Sequence, residues 1–238
     1  MSRSKFDSLA AVYDAARPAY PDGLYDALPL SGATVADVGA GTGISTRGML
    51  ARGARVAAFD LSAPMLGLVG AHPGLLGTAV ADAHALPLRD ASVDLVTFAQ
   101  AFHWVDPARA VPEARRVLRP GGTLALWWND SDARGEPWWQ VQQDLLETLN
   151  DDYGRDYREH DPAGDLALAF GDVTARTVPW VRRLDVETYL VFLSSKSYVA
   201  ALGERMPGFL DAQRDLLAAA FPDGTVAEPF VTRLWLAR

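Results

Sequence analysis

The stretch from Thr34 to Gly43 reads Thr-Val-Ala-Asp-Val-Gly-Ala-Gly-Thr-Gly, an apolar run that ends in glycines at 39, 41 and 43. A second apolar run, Val56 to Phe59, closes on Asp60, seventeen residues beyond Gly43. A strand, a glycine turn, a helix and a second strand ending in a carboxylate form the pattern by which a doubly wound α/β sheet grips an adenosine. The turn needs glycine because a Cβ there would occupy the ligand's space. The carboxylate at the end of the second strand accepts from the ribose hydroxyls. Spacing decides which nucleotide is favoured. The run is G-x-G-x-G, whereas the dinucleotide fingerprint is G-x-G-x-x-G, and Ile44 stands where its third glycine would fall. With no pyrophosphate to cradle, the turn suits a mononucleoside such as S-adenosylmethionine.

The rest of the chain narrows the classes further. At 238 residues and 49% hydrophobic it can bury one good core, near the upper end of single-domain size at roughly 250 residues. A net charge of −8 argues against a nucleic-acid backbone as partner. Arg115, Arg116 and Arg119 form the only local basic cluster, at the end of an expected helix, where cations suit the dipole and solvent. There is no cysteine, which excludes disulfides, thiolate catalysis and cysteine zinc sites. Histidines 72, 84, 103 and 160 lack ligand spacing, so no metal is expected. The N-terminus has no apolar signal core, and no apolar stretch approaches the ~20 residues of a membrane span. The expectation is a cytoplasmic protein with no membrane partner.

Helical spacing of apolar residues over 4–28, broken by Pro18 and Pro21, predicts two short helices ahead of the sheet. Strands are expected at 34–38, 55–59, 77–81, 93–98 and 123–128, with helices at 44–52, 63–70 and 107–118 between them. Val93–Phe98 is a continuous apolar run of the kind buried on both faces. Residues 130–171, rich in Asp, Gly, Arg and Trp, read as an insertion with a helix over 138–149. A sixth strand at 175–184, interrupted at Pro179, precedes helices at 186–203 and 207–221 and a last strand at 226–237 containing Pro229. No repeat or linker divides the chain, so 1–238 reads as a single domain. Within it, 1–30 form N-terminal helices or a lid, 31–129 the cofactor-binding core, and 130–238 the substrate-side insertion and final strands.

With these residues in place the chain resembles the class I S-adenosylmethionine-dependent methyltransferases, and within them the type 11 group that includes the trans-aconitate methyltransferases. Val35–Gly43 is similar to the family's first motif, Phe59-Asp60-Leu61-Ser62 to its acidic turn, and Ala81–Pro87 to its adenine loop. Ala99–Trp104 resembles the loop after its fourth strand, and Arg116–Gly122 the turn before its fifth. The resemblance implies an α/β, doubly wound Rossmann-like sheet of seven strands in the order 3-2-1-4-5-7-6, the last antiparallel. It also implies an N-terminal helical lid and a helical insertion after strand five.

Site roles follow from the same resemblance. Gly39, Ala40, Gly41 and Gly43 pass beneath the methionine part and ribose of S-adenosylmethionine, or of its product S-adenosylhomocysteine. Asp37 holds the methionine ammonium through water, and Gln100 offers it a carbonyl oxygen. Asp60 accepts from the ribose, Asp82 from the adenine amino group, and the Ala83 N–H reads a ring nitrogen. Leu61, Met65 and Phe102 complete the contact set, and Tyr13 and Arg17 of the lid approach the carboxylate, where a guanidinium fork fits.

Methyl transfer from a sulfonium is an in-line displacement, so the enzyme mainly aligns the reacting atoms and excludes water. The expected acceptor is a small molecule attacked at oxygen. A carboxylate acceptor is already ionised, whereas a hydroxyl must lose a proton. His103 is the one histidine that the motif sets at the sheet's C-terminal edge. It is either a base or a positioning residue that packs its loop. Trp127-Trp128 and Trp138-Trp139 either fill the core or wall an apolar acceptor pocket. Arg182 and Arg183 read as a carboxylate clamp or as an exposed strand end. Two other classes stay open: a repurposed or non-catalytic S-adenosylmethionine-binding protein, and an NAD-dependent dehydrogenase, which the missing third glycine disfavours. Oligomeric state is not legible.

Overall fold

The computed structural model describes residues 19–155 and 161–238. Its seven strands are β1 (Thr34–Val38), β2 (Arg55–Asp60), β3 (Leu75–Val80), β4 (Val93–Ala99), β5 (Leu118–Ser131), β6 (Val173–Asp185) and β7 (Thr225–Ala237). They form one sheet in the order β3-β2-β1-β4-β5-β7-β6. The first five pair in parallel, and β7 runs antiparallel to both β5 and β6. This is the order and polarity that the resemblance implied.

The helices are α1 (Asp22–Asp26), α2 (Ile44–Leu50), α3 (Ala63–Leu66), α4 (Pro107–Val117), α5 (Pro137–Leu149), α6 (Ala163–Leu166), α7 (Val186–Ser194), α8 (Ser197–Ala200) and α9 (Met206–Ala220). Crossover helices cover both faces of the parallel half, so β1 and β4 are apolar and buried throughout their centres. Ala36, Val38, Val96, Phe98, Leu126 and Trp128 pack on one face with α4. Val35, Val56, Leu95, Ala125 and Trp127 pack on the other with Leu24 and Tyr25 of α1 and Met49 of α2. Trp127 and Trp128 thus point to opposite faces, and both are buried. A separate cluster joins α5, α7 and α9 to Val226 and Phe230 at the start of β7.

Several boundaries differ from the sequence reading for physical reasons. β6 runs unbroken through Pro179, which pairs with Val231. β6 is the sheet's outer strand, where a missing N–H need not leave a ladder bond unmade. The long helix expected over 186–203 is two helices, α7 and α8, separated at Ser195 and Lys196. The helix at 63–70 shortens to α3, whose Ser62 cap accepts from the Met65 N–H at 3.4 Å. Arg116 is more than a solvated helix-end cation. Its guanidinium donates to the Leu86 and Leu88 carbonyls and pairs with Glu113 and Asp90, which staples the 86–90 loop to α4. The lid residues Tyr13 and Arg17 lie outside the described residues.

Candidate active site

The C-terminal ends of β1, β2 and β4 meet at the glycine turn. Gly39, Gly41 and Gly43 all have positive φ, at 70°, 56° and 84°, a region that only glycine enters without strain. Gly39 passes so close to Ala101 that a Cβ would overlap the alanine methyl. At Gly41 a Cβ would meet nothing of the described residues within 4 Å, so among them the backbone there faces open space that a ligand can approach. Asp60 fixes the turn: Oδ2 accepts from the Gly41 N–H at 2.9 Å and Oδ1 from the Ser62 N–H at 2.8 Å. Each oxygen keeps a lone pair for a further donor.

Asp37 lies fully buried beneath this turn. Its oxygens accept from the Thr46 hydroxyl at 2.6 Å and the Thr97 hydroxyl at 2.8 Å. Burial pushes its pKa up to about 6, against the two hydroxyl bonds, and the Asp60 charge adds to the rise. Among the described residues no side-chain cation is in hydrogen-bond contact with it.

In the loop after β3, Asp82 Oδ1 accepts both the backbone N–H of His84 at 2.9 Å and its Nδ1–H at 2.6 Å. These contacts, the backbone one foremost, hold the Asp82 carboxylate below its usual range. His84 Nε2 in turn accepts from the Asp106 N–H at 3.0 Å, at the start of α4. His84 is therefore a neutral Nδ1–H clip between the loop and the helix, a role that the sequence reading missed. The Asp-x-His spacing was its only local sign. Ala40, Ala83, Met65 and Phe102 are buried and Leu61 is exposed. Phe102 packs edge-on against Phe98 at 5.4 Å, which turns it toward the α4 side of the sheet.

Gln100 takes φ 57°, rare for a non-glycine residue. The kink follows β4 directly, and the Gln100 N–H bonds the Trp127 carbonyl at 2.9 Å. Its amide Nε2 donates to the Asn129 carbonyl at 3.2 Å, which leaves Oε1 as an acceptor. Gln100 and Ile44, next to Gly43, open onto a cavity of about 290 Å³. The far walls come from α5, α7, the turn before α8, and β7, including Trp139, Tyr189, Phe192 and Phe230. Of the four paired tryptophans, only Trp139 lines this cavity; Trp138 packs instead on Tyr189 and Phe221. His103 is not part of the cavity wall. Its Nδ1 accepts from the Trp128 indole N–H at 3.2 Å, on the sheet face opposite Trp127, and its ring lies against Trp104 at 4.7 Å. Arg182 is not an exposed strand end. It is buried and bound to Glu228 at 2.6 Å.

Comparison with known proteins bears directly on this geometry. Residues 36–126 match the family described as a methyltransferase domain. An uncharacterized methyltransferase of Mycobacterium tuberculosis is 38% identical over 95% of this chain and 92% of its own length. A malonyl-[acyl-carrier protein] O-methyltransferase of Methylococcus capsulatus is 45% identical over 40% of this chain and 36% of its own length. Among solved structures, a type II methyltransferase of Anaeromyxobacter dehalogenans superposes with a TM-score of 0.72 at 28% identity, covering 93% of this chain and 96% of that one. A glycine turn open at Gly41, a carboxylate closing β2 and relatives of this extent together place the chain in the class I S-adenosylmethionine-dependent methyltransferases, and it is an enzyme of that family.

Proposed function

We propose that the enzyme methylates a small molecule at oxygen, with the acceptor held in the cavity that opens between Ile44 and Gln100. That cavity carries the reading: about 290 Å³ suits a small molecule, and it begins at the edge of the glycine turn. The partial likeness to an O-methyltransferase supports oxygen as the atom attacked.

The residues present fit S-adenosylmethionine, which supplies a methyl group already activated by the sulfonium charge. Gly39, Ala40, Gly41 and Gly43 carry the cofactor over the turn. The free lone pairs of Asp60 take the ribose hydroxyls. Asp82, Ala83, Leu61 and Met65 hold the adenine end, with the loop kept in place by His84, Glu113 and Arg116. Asp37 and Gln100 Oε1 form the negative side facing the methionine ammonium. Phe102 supports the loop from the core side.

The remaining work is alignment and exclusion of water. Residues 130–238 supply the acceptor's walls, so the whole chain acts as one catalytic unit. His103 serves as a positioning residue. With Nδ1 occupied by the Trp128 indole, its neutral form carries the proton on Nε2 and has no second lone pair to act as a base. An already ionised acceptor such as a carboxylate needs none.

Incubation with methyl-labelled S-adenosylmethionine and a panel of small carboxylic acids and phenols tests the reading by mass spectrometry. Labelled methyl esters or ethers are expected. Cofactor binding without transfer to any of the panel, or methylation at nitrogen only, would refute it.

A further inference from the structure

At the end of the cavity away from the glycine turn stands a buried ion pair that nothing above uses. Glu228 on β7 and Arg182 on β6 pair across the strands, joined by Arg182 Nη2 and Glu228 Oε2 at 2.6 Å. Both are almost wholly buried. The guanidinium lies 3.7 Å from the Phe192 ring and 4.9 Å from the Phe230 ring, and its Nε and Nη1 have no hydrogen-bond partner. Glu228 also lines the cavity. Among the described residues nothing donates to its Oε1.

Such a pair is a poor stabilising device. Removing two charges from water costs several kcal/mol, repaid only when the remaining donors and acceptors are satisfied. Here two guanidinium nitrogens and one carboxylate oxygen are not. Apolar residues would serve the fold as well. What the pair does supply is a carboxylate in the cavity wall, one oxygen taken by a guanidinium that lies against two aromatic rings.

We propose that Glu228 is a specificity-determining residue that accepts a hydrogen bond from a neutral hydroxyl on the acceptor, at the end remote from the methylated atom. This rests on the assignment of the cavity to the methyl acceptor. The distance follows from register. Asn129, whose carbonyl anchors Gln100, pairs with Thr232, and Glu228 lies four residues further along β7 on the same face. At ~3.3 Å per residue that is about 13 Å. The acceptor is therefore elongated, with a hydroxyl on the order of 10 Å from its methylated atom. A cationic donor is disfavoured, because Arg182 already neutralises Glu228. The aromatic rings of Trp139, Phe192 and Phe230 line the cavity between these two ends, alongside polar residues such as Gln142 and Lys196. Arg182 is the positioning residue of the pair.

The test uses two rigid probes, 4,4′-dihydroxybiphenyl and 4-hydroxybiphenyl, titrated calorimetrically into the full chain with and without S-adenosylhomocysteine. The diol should bind about tenfold or more tighter than the mono-ol, the ratio expected for a hydrogen bond to a charged group. Glu228→Leu leaves Arg182 unpaired and is apt to unfold the protein. The double variant Arg182→Met with Glu228→Leu removes both charges, and it should melt no lower than the parent while binding the two probes equally. Equal binding by the parent, binding of neither probe, or a preference that survives in the double variant would overturn the proposal. Loss of S-adenosylhomocysteine binding with probe discrimination intact would instead count against the methyl-transfer reading of the cavity.

Discussion

Asp37 offers the sharpest test of how this fold is tuned for a cationic ligand. The carboxylate is fully buried and its pKa is raised from 3.8 to about 6. A rise of about two units is worth about 3 kcal/mol at ~1.4 kcal/mol per unit. The sign follows from linkage. A carboxylate whose folded pKa exceeds its unfolded value adds stability fully present below about 4, and that stability is lost as pH climbs through about 6. Above that, the folded protein carries a buried charge that the unfolded chain would solvate freely. Asp37→Asn keeps the shape, and the Thr46 and Thr97 hydroxyls can each donate or accept, so either amide orientation finds partners. The variant should therefore be more stable than the parent by about 3 kcal/mol at about pH 8, with the gain shrinking to roughly half at about pH 5. Urea unfolding followed by circular dichroism at both pH values measures this.

The same substitution should weaken S-adenosylmethionine and S-adenosylhomocysteine binding by about tenfold or more, since an anion facing an ammonium in a site of low dielectric contributes well over 1 kcal/mol. In the parent, affinity should fall below about pH 6 as Asp37 takes up its proton, and the variant should lose that dependence. A variant equally stable at both pH values, or one that binds the cofactor as well as the parent does, would refute the claim that a buried charge is kept here for the ligand.

Gly41→Val should fill the open space above the turn and, with φ at 56°, also strain the backbone by roughly 1–2 kcal/mol; calorimetry should show a folded protein that no longer binds S-adenosylhomocysteine. Asp60→Ala removes the acceptor of the Gly41 N–H and of the proposed ribose bond, a loss of roughly 1.5–3 kcal/mol for a charged hydrogen bond, and unchanged cofactor affinity in a folded variant would show the ribose site to be elsewhere. His103→Gln should leave turnover within severalfold and the rate flat from about pH 6 to 8, whereas a loss of roughly 10²–10⁴-fold with cofactor affinity intact would identify His103 as a base. His84→Ala should free the adenine loop from α4 and raise the cofactor's dissociation constant with little change in melting temperature, since the clip joins exposed segments.

The cofactor half of the molecule was legible because its information is local. In a βαβ unit each strand is one short apolar run, each turn carries its own glycine or carboxylate, and short loops fix which element follows. The string from Thr34 to Gly43 therefore specified β1, the turn and the start of α2 together. In 130–238 the elements were legible too, the helix at 138–149 and the strands at 175–184 and 226–237 among them, but the cavity that they wall was not. Its far walls come from α5, α7, the turn before α8 and β7, and no one of these segments carries the cavity's signature. Arg182 shows why. β6 is an outer strand, exposed along most of its length, and a charged residue on such a strand is by default a solvated one that guards the edge. Only α7, crossing over the strand with Phe192, and the neighbouring β7, with Glu228 and Phe230, convert that arginine into a buried clamp. Which helix covers an edge is decided by long-range packing, and that choice turns a surface charge into a buried ion pair.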